Sequence, residues 1–363
     1  MPIYMDFHDL PDGVTAAHVA QMHQADLKIE HKYNCRGLTY WCDEIRQTAF
    51  CLIEAPNAEA IRELHEKAHG GVPQRIIEVD DHIVETFLGR INDPEVPIKN
   101  GLPIIDDSAY RVLLVVDMHR TKLREEGQST LQAALRGYAK SIKALVTEQK
   151  GRPVQQSTYR YLASFRRAED AIKAALAIRE LHNCVITPDL QFRIGICAGD
   201  PVTEKGDLFE EAITKAKNLG SIAGEEVVIS EEVRKLYESE CHQPIPGQVR
   251  CIPQSEEQFL SQVMAYLDTV WNKHHVEAGD LHRDLGYSKS KLYRSLTKVA
   301  AASPLHLLKQ YRLEKSLALL DQQTHQIAEV AYQCGFSSPA YFSKCFQEVY
   351  GVLPSGYLRT LQG

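Results

Sequence analysis

Near its C-terminus the chain repeats one pattern of helix punctuation. In DLHRDLGYSKSKLYRSLTKVA a short helix ends near Gly286, and Ser288 offers an N-cap to a second helix. In QIAEVAYQCGFSSPAYFSKCF a short helix is stopped by Gly335, and Ser338-Pro339 opens the next. Glycine tolerates the left-handed backbone that ends a helix, and proline suits the first helical position. Short helix, tight turn, second helix is helix-turn-helix punctuation, and few folds accommodate two copies. Between the copies, Ser303-Pro304 caps SPLHLLKQYRLEKSLALLD, about 18 residues and so roughly 27 Å of helix. Successive major grooves on one side of a duplex lie about 34 Å apart, so this stiff spacer can set two reading helices in adjacent grooves.

These residues resemble the DNA-binding domain of AraC/XylS-type transcription regulators. The likeness runs through residues 281–294, 303–320 and 327–346, with a fitting PSGYLR at 354–359. It implies base-edge contacts from Ser288, Lys289, Ser290, Lys291 and Arg294 in the first reading helix. In the second it implies Ser338, Ala340, Tyr341 and Lys344. Arg294 is the candidate for a bidentate contact with guanine. Lys344 stands where the family usually has arginine. An ammonium lacks the flat fork, so a phosphate contact is expected there. Ala340 can offer only an apolar contact. Leu292, Leu296, Phe336, Phe342 and Phe346 fall at core spacing.

Charge is distributed to match. The 363-residue chain carries a net −7, but from Phe259 onward it has 11 Lys and Arg against 8 Asp and Glu, and the first 258 residues have 30 against 40. A mildly basic module on an acidic body is the expected reading. No apolar run reaches the roughly 18 to 20 residues of a membrane helix, and no secretory signal is evident. Nine irregularly spaced cysteines suit reduced thiols in a cytoplasm. The expected location is the cytoplasm of a bacterium, at the nucleoid. Cys241 and Cys251 are read as spectators.

Two stretches rich in turn formers divide the chain. They are INDPEVPIKNGLPIIDDS at 91–108 and a proline-rich one at 239–257. The expected domains are 1–90, 109–238 and 258–363.

In the middle segment, strand patterns (RVLLVVDMHR, QFRIGICAGDP) alternate with amphipathic helices, indicating an α/β or α+β layer. It is similar to a class III nucleotide cyclase homology domain through VVDM at 115–118, STYRYLASF at 157–165, RIGICAG at 193–199 and DLFEEAI at 207–213. That likeness implies two carboxylates holding divalent ions. Asp117 matches the first, but the second falls on Tyr159, and the family's Asn and Arg fall on Thr214 and Asn218. A degenerate, inactive domain serving as dimer scaffold or small-ligand sensor is therefore expected, with no catalytic residues.

The N-terminal segment reads β-α-β-β-α-β, a split βαβ or ferredoxin-like order. It holds seven of the chain's 15 histidines. His65 and His69 are one helical turn apart, as in helical metal pairs. His23, Cys51 or Cys35 could complete a set suited to zinc, nickel or copper. Packed or solvated histidines are the alternative. The pieces AQMHQADL, YWCDE, FCLIEAP and HEKAHG resemble a small ferredoxin-like family with a nickel-binding member. That resemblance implies Ni2+ or another transition metal, with His23, Cys51, His65 and His69 as candidate ligands and a small organic effector as rival.

The reading as a whole is a one-component regulator of three domains: ferredoxin-like α+β, cyclase-like α/β and all-α double helix-turn-helix. Its expected partners are promoter DNA, a second copy of itself, an effector and, for an activator, RNA polymerase. A cyclase fused to a DNA-binding domain and a metal buffer are the alternatives.

Overall fold

A computed structural model describes residues 1–99, 102–120, 122–123, 128–157, 159–184, 190–204, 206–276 and 278–362. Residues 100–101 of the first turn-rich stretch and Thr158 of STYRYLASF lie outside the described residues.

The first domain follows the expected order: β1 (Ile3–Asp9), α1 (Ala16–Ile29), β2 (Arg36–Asp43), β3 (Thr48–Glu54), α2 (Ala58–Ala68) and β4 (Arg75–Val79). The strands pair as β2-β3-β1-β4, antiparallel throughout. Both faces of this sheet are covered, which is why YWCD reads as a continuous buried run rather than an alternating one. Tyr40, Cys42, Ala49 and Cys51 share a core with Val19 and Ala20 of α1 and Ile61 and Leu64 of α2. Met5, Trp41, Phe50 and Leu52 face the other way, into a core that continues into the middle domain.

Helix α3 (Asp81–Leu88) is an element the sequence reading missed. Its signals are standard ones: the Asp80 side chain accepts from the Ile83 N–H, and Gly89 at φ +93° ends it. Val84, Phe87 and Leu88 are buried. The stretch 91–108 carries the short pair β5 (Ile98–Lys99) and β6 (Leu102–Pro103) and lies against the first domain. Asp93 N–H bonds Leu38 O at 3.1 Å, and Cys42 N–H bonds Asp107 O at 3.0 Å. Ile105 is buried in the first domain's core.

The middle domain comprises β7 (Arg111–Arg120), α4 (Gln128–Glu148), β8 (Arg152–Gln156), β9 (Arg160–Phe165), α5 (Ala168–Cys184), β10 (Leu190–Gly199), α6 (Glu210–Ser221), β11 (Val227–Ser230), α7 (Glu231–Cys241) and β12 (Val249–Ile252). Its sheet runs β12-β11-β10-β7-β9-β8. The first four of its strands repeat the β-α-β-β-α-β order and pairing of the first domain. β11 then joins β10, and β12 joins β11, both in parallel. The second turn-rich stretch, 239–257, is thus no simple connector. Its VRCI forms the sheet's edge strand, and the next helix begins within it. Four residues between proline-rich turns are too few for periodicity to register as a strand.

The C-terminal domain holds α8 (Gln254–Val270), α9 (Ala278–Asp284), α10 (Lys289–Ala300), α11 (Pro304–Asp321), α12 (Ile327–Gln333), α13 (Pro339–Tyr350) and α14 (Pro354–Gln362). Ser288, Ser303 and Ser338 are N-caps as read, accepting from Lys291, His306 and Tyr341 N–H at 3.3, 3.3 and 3.2 Å. Leu292, Leu296, Phe336, Phe342 and Phe346 are all buried. Gly335 has φ +74°, and a Cβ there would meet Trp271 O at 2.6 Å and Lys273 O at 2.9 Å. Both are backbone atoms that cannot swing aside. Gly335→Ala is expected to cost more than about 1 kcal/mol, since the residue must adopt an incompatible backbone as well as clash. A urea melt of the variant checks it, and an unchanged midpoint would contradict it.

Candidate metal centre and nucleic-acid interface

Asp6 and Cys51 are register partners in the β1–β3 ladder, so both project from the helix-covered face of the sheet. His8, two residues on from Asp6, shares that face. Above them α2 brings His65 and His69, and α1 brings Asp26. Asp6, His8, Cys51 and His65 have ligand atoms within 4.8 Å of one another, as do Asp26, His65 and His69. Between them lies a cavity of about 20 Å³, lined by His8, Asp26, Cys51, His65 and His69 among others. That is room for one water-sized or ion-sized occupant.

His65 sits at the centre, 1% exposed. Its Nε2 lies 2.8 Å from Asp6 Oδ2 and its Nδ1 3.2 Å from Asp26 Oδ1. Burial works against its charge, but the hydrogen bonds to Asp26 and Asp6 prevail and raise its pKa to about 10. Burial likewise opposes ionisation of Asp6 and Asp26. Their histidine neighbours overcome it and hold both carboxyls below the ordinary 3.8. The core is therefore an imidazolium clamped between two carboxylates. Asp6 Oδ1 also accepts the Cys51 N–H at 2.9 Å. Burial, with Asp6 and Asp26 nearby, pushes the Cys51 thiol well up, so it is protonated.

Two details bear on whether a metal fits. His8 Nε2 is buried without a hydrogen-bond partner, 3.4 Å from Asp6 Oδ1 in a poor alignment. A buried ring nitrogen without a hydrogen bond is open to an occupant. His69, by contrast, accepts the Gly71 N–H on Nδ1 at 3.1 Å. That leaves the proton on Nε2, which lies 3.0 Å from His65 Nδ1 and 3.3 Å from Asp26 Oδ1, so both histidines converge on that carboxylate. Ligation through Nε2 would require this arrangement to change. The imidazole, thiol and carboxylate donors of Asp6, His8, Cys51 and His65 fit a borderline transition ion.

Of the four ligands read from sequence, the structure brings His65, His69 and Cys51 to this centre. His23 lines the same cavity but is in neither ligand group, and its Nε2 contacts Asp93 Oδ2 at 3.1 Å. Asp6, His8 and Asp26 were missed. Cys35 is buried but absent from both groups.

In the C-terminal domain Ser288, Lys289, Ser290, Lys291 and Arg294 are exposed on α10 and its cap. Ala340, Tyr341 and Lys344 are exposed on α13, with Ser338 half-buried as its cap. The Lys291 ammonium lies 4.8 Å from the Tyr287 ring centre. In the middle domain Asp117 is paired with Arg160 at 2.5 Å. Tyr159 and Asn218 line the cleft beside it together with Thr214. Asp117 thus has a guanidinium partner rather than a second carboxylate.

Two family models match this chain. Residues 4–79 match "Nickel responsive protein SCO4226-like", and residues 281–360 match "Helix-turn-helix domain". The uncharacterized HTH-type transcriptional regulator YdeC of Bacillus subtilis is 32% identical over 102 residues, covering 28% of this chain and 33% of that protein. The HTH-type transcriptional regulator GbdR of Pseudomonas aeruginosa is 28% identical over 134 residues, covering 37% and 35%. The solved structure of SCO4226 from Streptomyces coelicolor is 39% identical over 21% of this chain and 94% of that one, at a TM-score of 0.20. The chain spans between 7% and 40% of the length of the first curated relatives it matches. The C-terminal domain is accordingly an AraC-type helix-turn-helix domain, and the first domain is SCO4226-like. Among the described residues no helix is long and apolar enough to cross a membrane.

Proposed function

We propose that this protein is a sequence-specific DNA-binding transcription regulator whose DNA-binding domain is governed by effector binding elsewhere in the chain. The observation that carries this is the pair of serine-capped helices, α10 and α13. Their candidate contact side chains point to solvent, and an 18-residue helix, α11, separates them. The matched helix-turn-helix domain and the regulators similar to it support the reading. Neither a nucleotide cyclase nor a simple metal buffer accounts for those two helices.

The first domain, with its ferredoxin-like strand order, is the metal-responsive part of the proposal, with nickel as the first ion to test. Asp6, His8, Cys51 and His65 would hold the ion. Such an ion would supply positive charge in place of the His65 proton. The middle domain, a degenerate cyclase homologue on its motifs, is the proposed scaffold for a homodimer. Binding of the full chain to DNA from its own promoter, followed by fluorescence anisotropy at fixed salt with and without nickel, tests the proposal. Absence of a specific complex at physiological salt would sink the DNA reading, since non-specific phosphate binding weakens steeply with salt.

Metal affinity should rise with pH. Both His65, raised to about 10, and the protonated Cys51 must release protons to bind an ion. Affinity is expected to climb about tenfold per pH unit for each proton released between pH 6 and 9. Titration of nickel against the full chain in two buffers of different ionisation heat counts those protons. A pH-independent affinity would remove His65 and Cys51 from the ligand set.

A further inference from the structure

A cleft of about 610 Å³ separates the middle sheet from the C-terminal domain. Its size is that of a small-molecule site. The charges on its walls are sorted by sign. The middle domain supplies Arg160, Arg193 and Lys217 against Asp117, and helices α8 and α11 supply Asp268, Glu314 and Asp321 against Lys315. Arg193 Nη1 crosses the cleft to Glu314 at 2.9 Å. His119 Nδ1 lies 3.6 Å from Glu314, but burial and Arg193 push its pKa down to about 3, so it adds no charge.

The acidic wall is satisfied. Asp268 takes the Tyr311 hydroxyl and lies 3.5 Å from Lys315, and Asp321 takes the Tyr357 hydroxyl. The basic wall is satisfied only in part. Arg160 is paired with Asp117, but Lys217 makes no ion pair among the described residues, and Arg193 Nε is buried without a hydrogen-bond partner. Unspent donors on one wall and satisfied acceptors on the other mark a cleft built for an anion.

We propose that this cleft binds a small, multiply anionic molecule bearing phosphate or carboxylate oxygens, held by Lys217, Arg193 and Arg160 in competition with Glu314 of α11 for Arg193 and with Asp117 for Arg160. The inference deepens the effector-control reading above and rests on it. An occupant that takes Arg193 from Glu314 weakens the hold of the middle domain on the helix joining the two reading units. A second connection lies close by. β7 carries Asp117, and three residues beyond its end Leu123 is buried in the core of the second reading unit, its N–H bonded to Tyr350 O at 2.7 Å.

The test is calorimetric titration of the full chain with tripolyphosphate and, separately, citrate, at constant ionic strength and without DNA. One site per chain is expected. Affinity should fall at least tenfold in Lys217→Gln and in Arg193→Gln, rise in Glu314→Gln, and stay unchanged in Arg294→Ala on the DNA face. Hydrogen exchange of the Leu123 and α11 amides should quicken on saturation. Binding of one probe and not the other assigns the phosphate or the carboxylate source. Failure of both probes to bind, or binding that survives both cleft substitutions, overturns the proposal. So does binding lost only in Arg294→Ala, which would place the anion on the DNA face. Because no DNA is present, each of these failures leaves the DNA-binding reading untouched.

Discussion

Asp6→Ala should destabilise the first domain by about 3–5 kcal/mol, the loss measured when one partner of a buried charge pair is removed. The Asp6 carboxylate is 1% exposed and meets three groups: the His65 ring, the His8 ring and the Cys51 N–H. Without it, one flank of a buried imidazolium is bare and a ladder N–H is orphaned, each costly in a low-dielectric interior. The pH dependence identifies the cause. His65 has its pKa raised on folding, so its stabilisation is complete below its ordinary value of 6.5 and is lost as pH climbs through about 10. Asp6 and Asp26 have theirs lowered, so their contribution is present above 3.8 and is lost as pH falls through their folded values. The metal-free domain should be most stable between about pH 4 and 6.5 and weaken steadily toward pH 10. Urea melts of wild type and Asp6→Ala across that range check both statements. A loss below about 1 kcal/mol, or an alkaline slope undiminished in the variant, would show that the clamp is not formed, since only the Asp26 half of the His65 stabilisation remains there.

Arg294→Ala should weaken specific DNA binding by about 10- to 100-fold, and Lys344→Ala should weaken it less and more uniformly. The difference is chemical. A guanidinium can meet the two acceptors of a guanine edge, a contact worth about 1–3 kcal/mol of discrimination, so its loss relaxes preference at one base pair. The Lys344 ammonium is a point charge suited to phosphate. Its loss should lower affinity alike for matched and mismatched sites and reduce the slope of log affinity against log salt by about one. Both side chains are exposed, and stability should be unaffected. Anisotropy titrations at several salt concentrations, on the selected site and on single-base variants, separate the two behaviours. Equal losses on every sequence for Arg294→Ala would move that residue to the phosphate backbone.

How much was legible in the sequence depended on how local the governing physics is. Helix α3 shows that even local signals can be passed over, since Asp80 and Gly89 were there to be read. The short edge strand β12 was hidden for a different reason: only pairing with β11 makes VRCI a strand. The cleft between the domains is least legible of all. Arg193 and Glu314 lie 121 positions apart, and no periodicity links them.

The double helix-turn-helix was determined by the sequence alone. Its caps, its glycine stops at positive φ and its apolar stripes act within a few residues, so serine and glycine in those places suffice. The metal centre was decided by the tertiary structure. His65 and His69 advertise themselves at helical spacing, but their partners depend on the register that sets Asp6 opposite Cys51, 45 residues away, and on the docking of α1 that delivers Asp26. A slip of one residue in that ladder would send Asp6 and His8 to the other face of the sheet. Only burial of both faces of the sheet holds the register, and that depends on the whole fold.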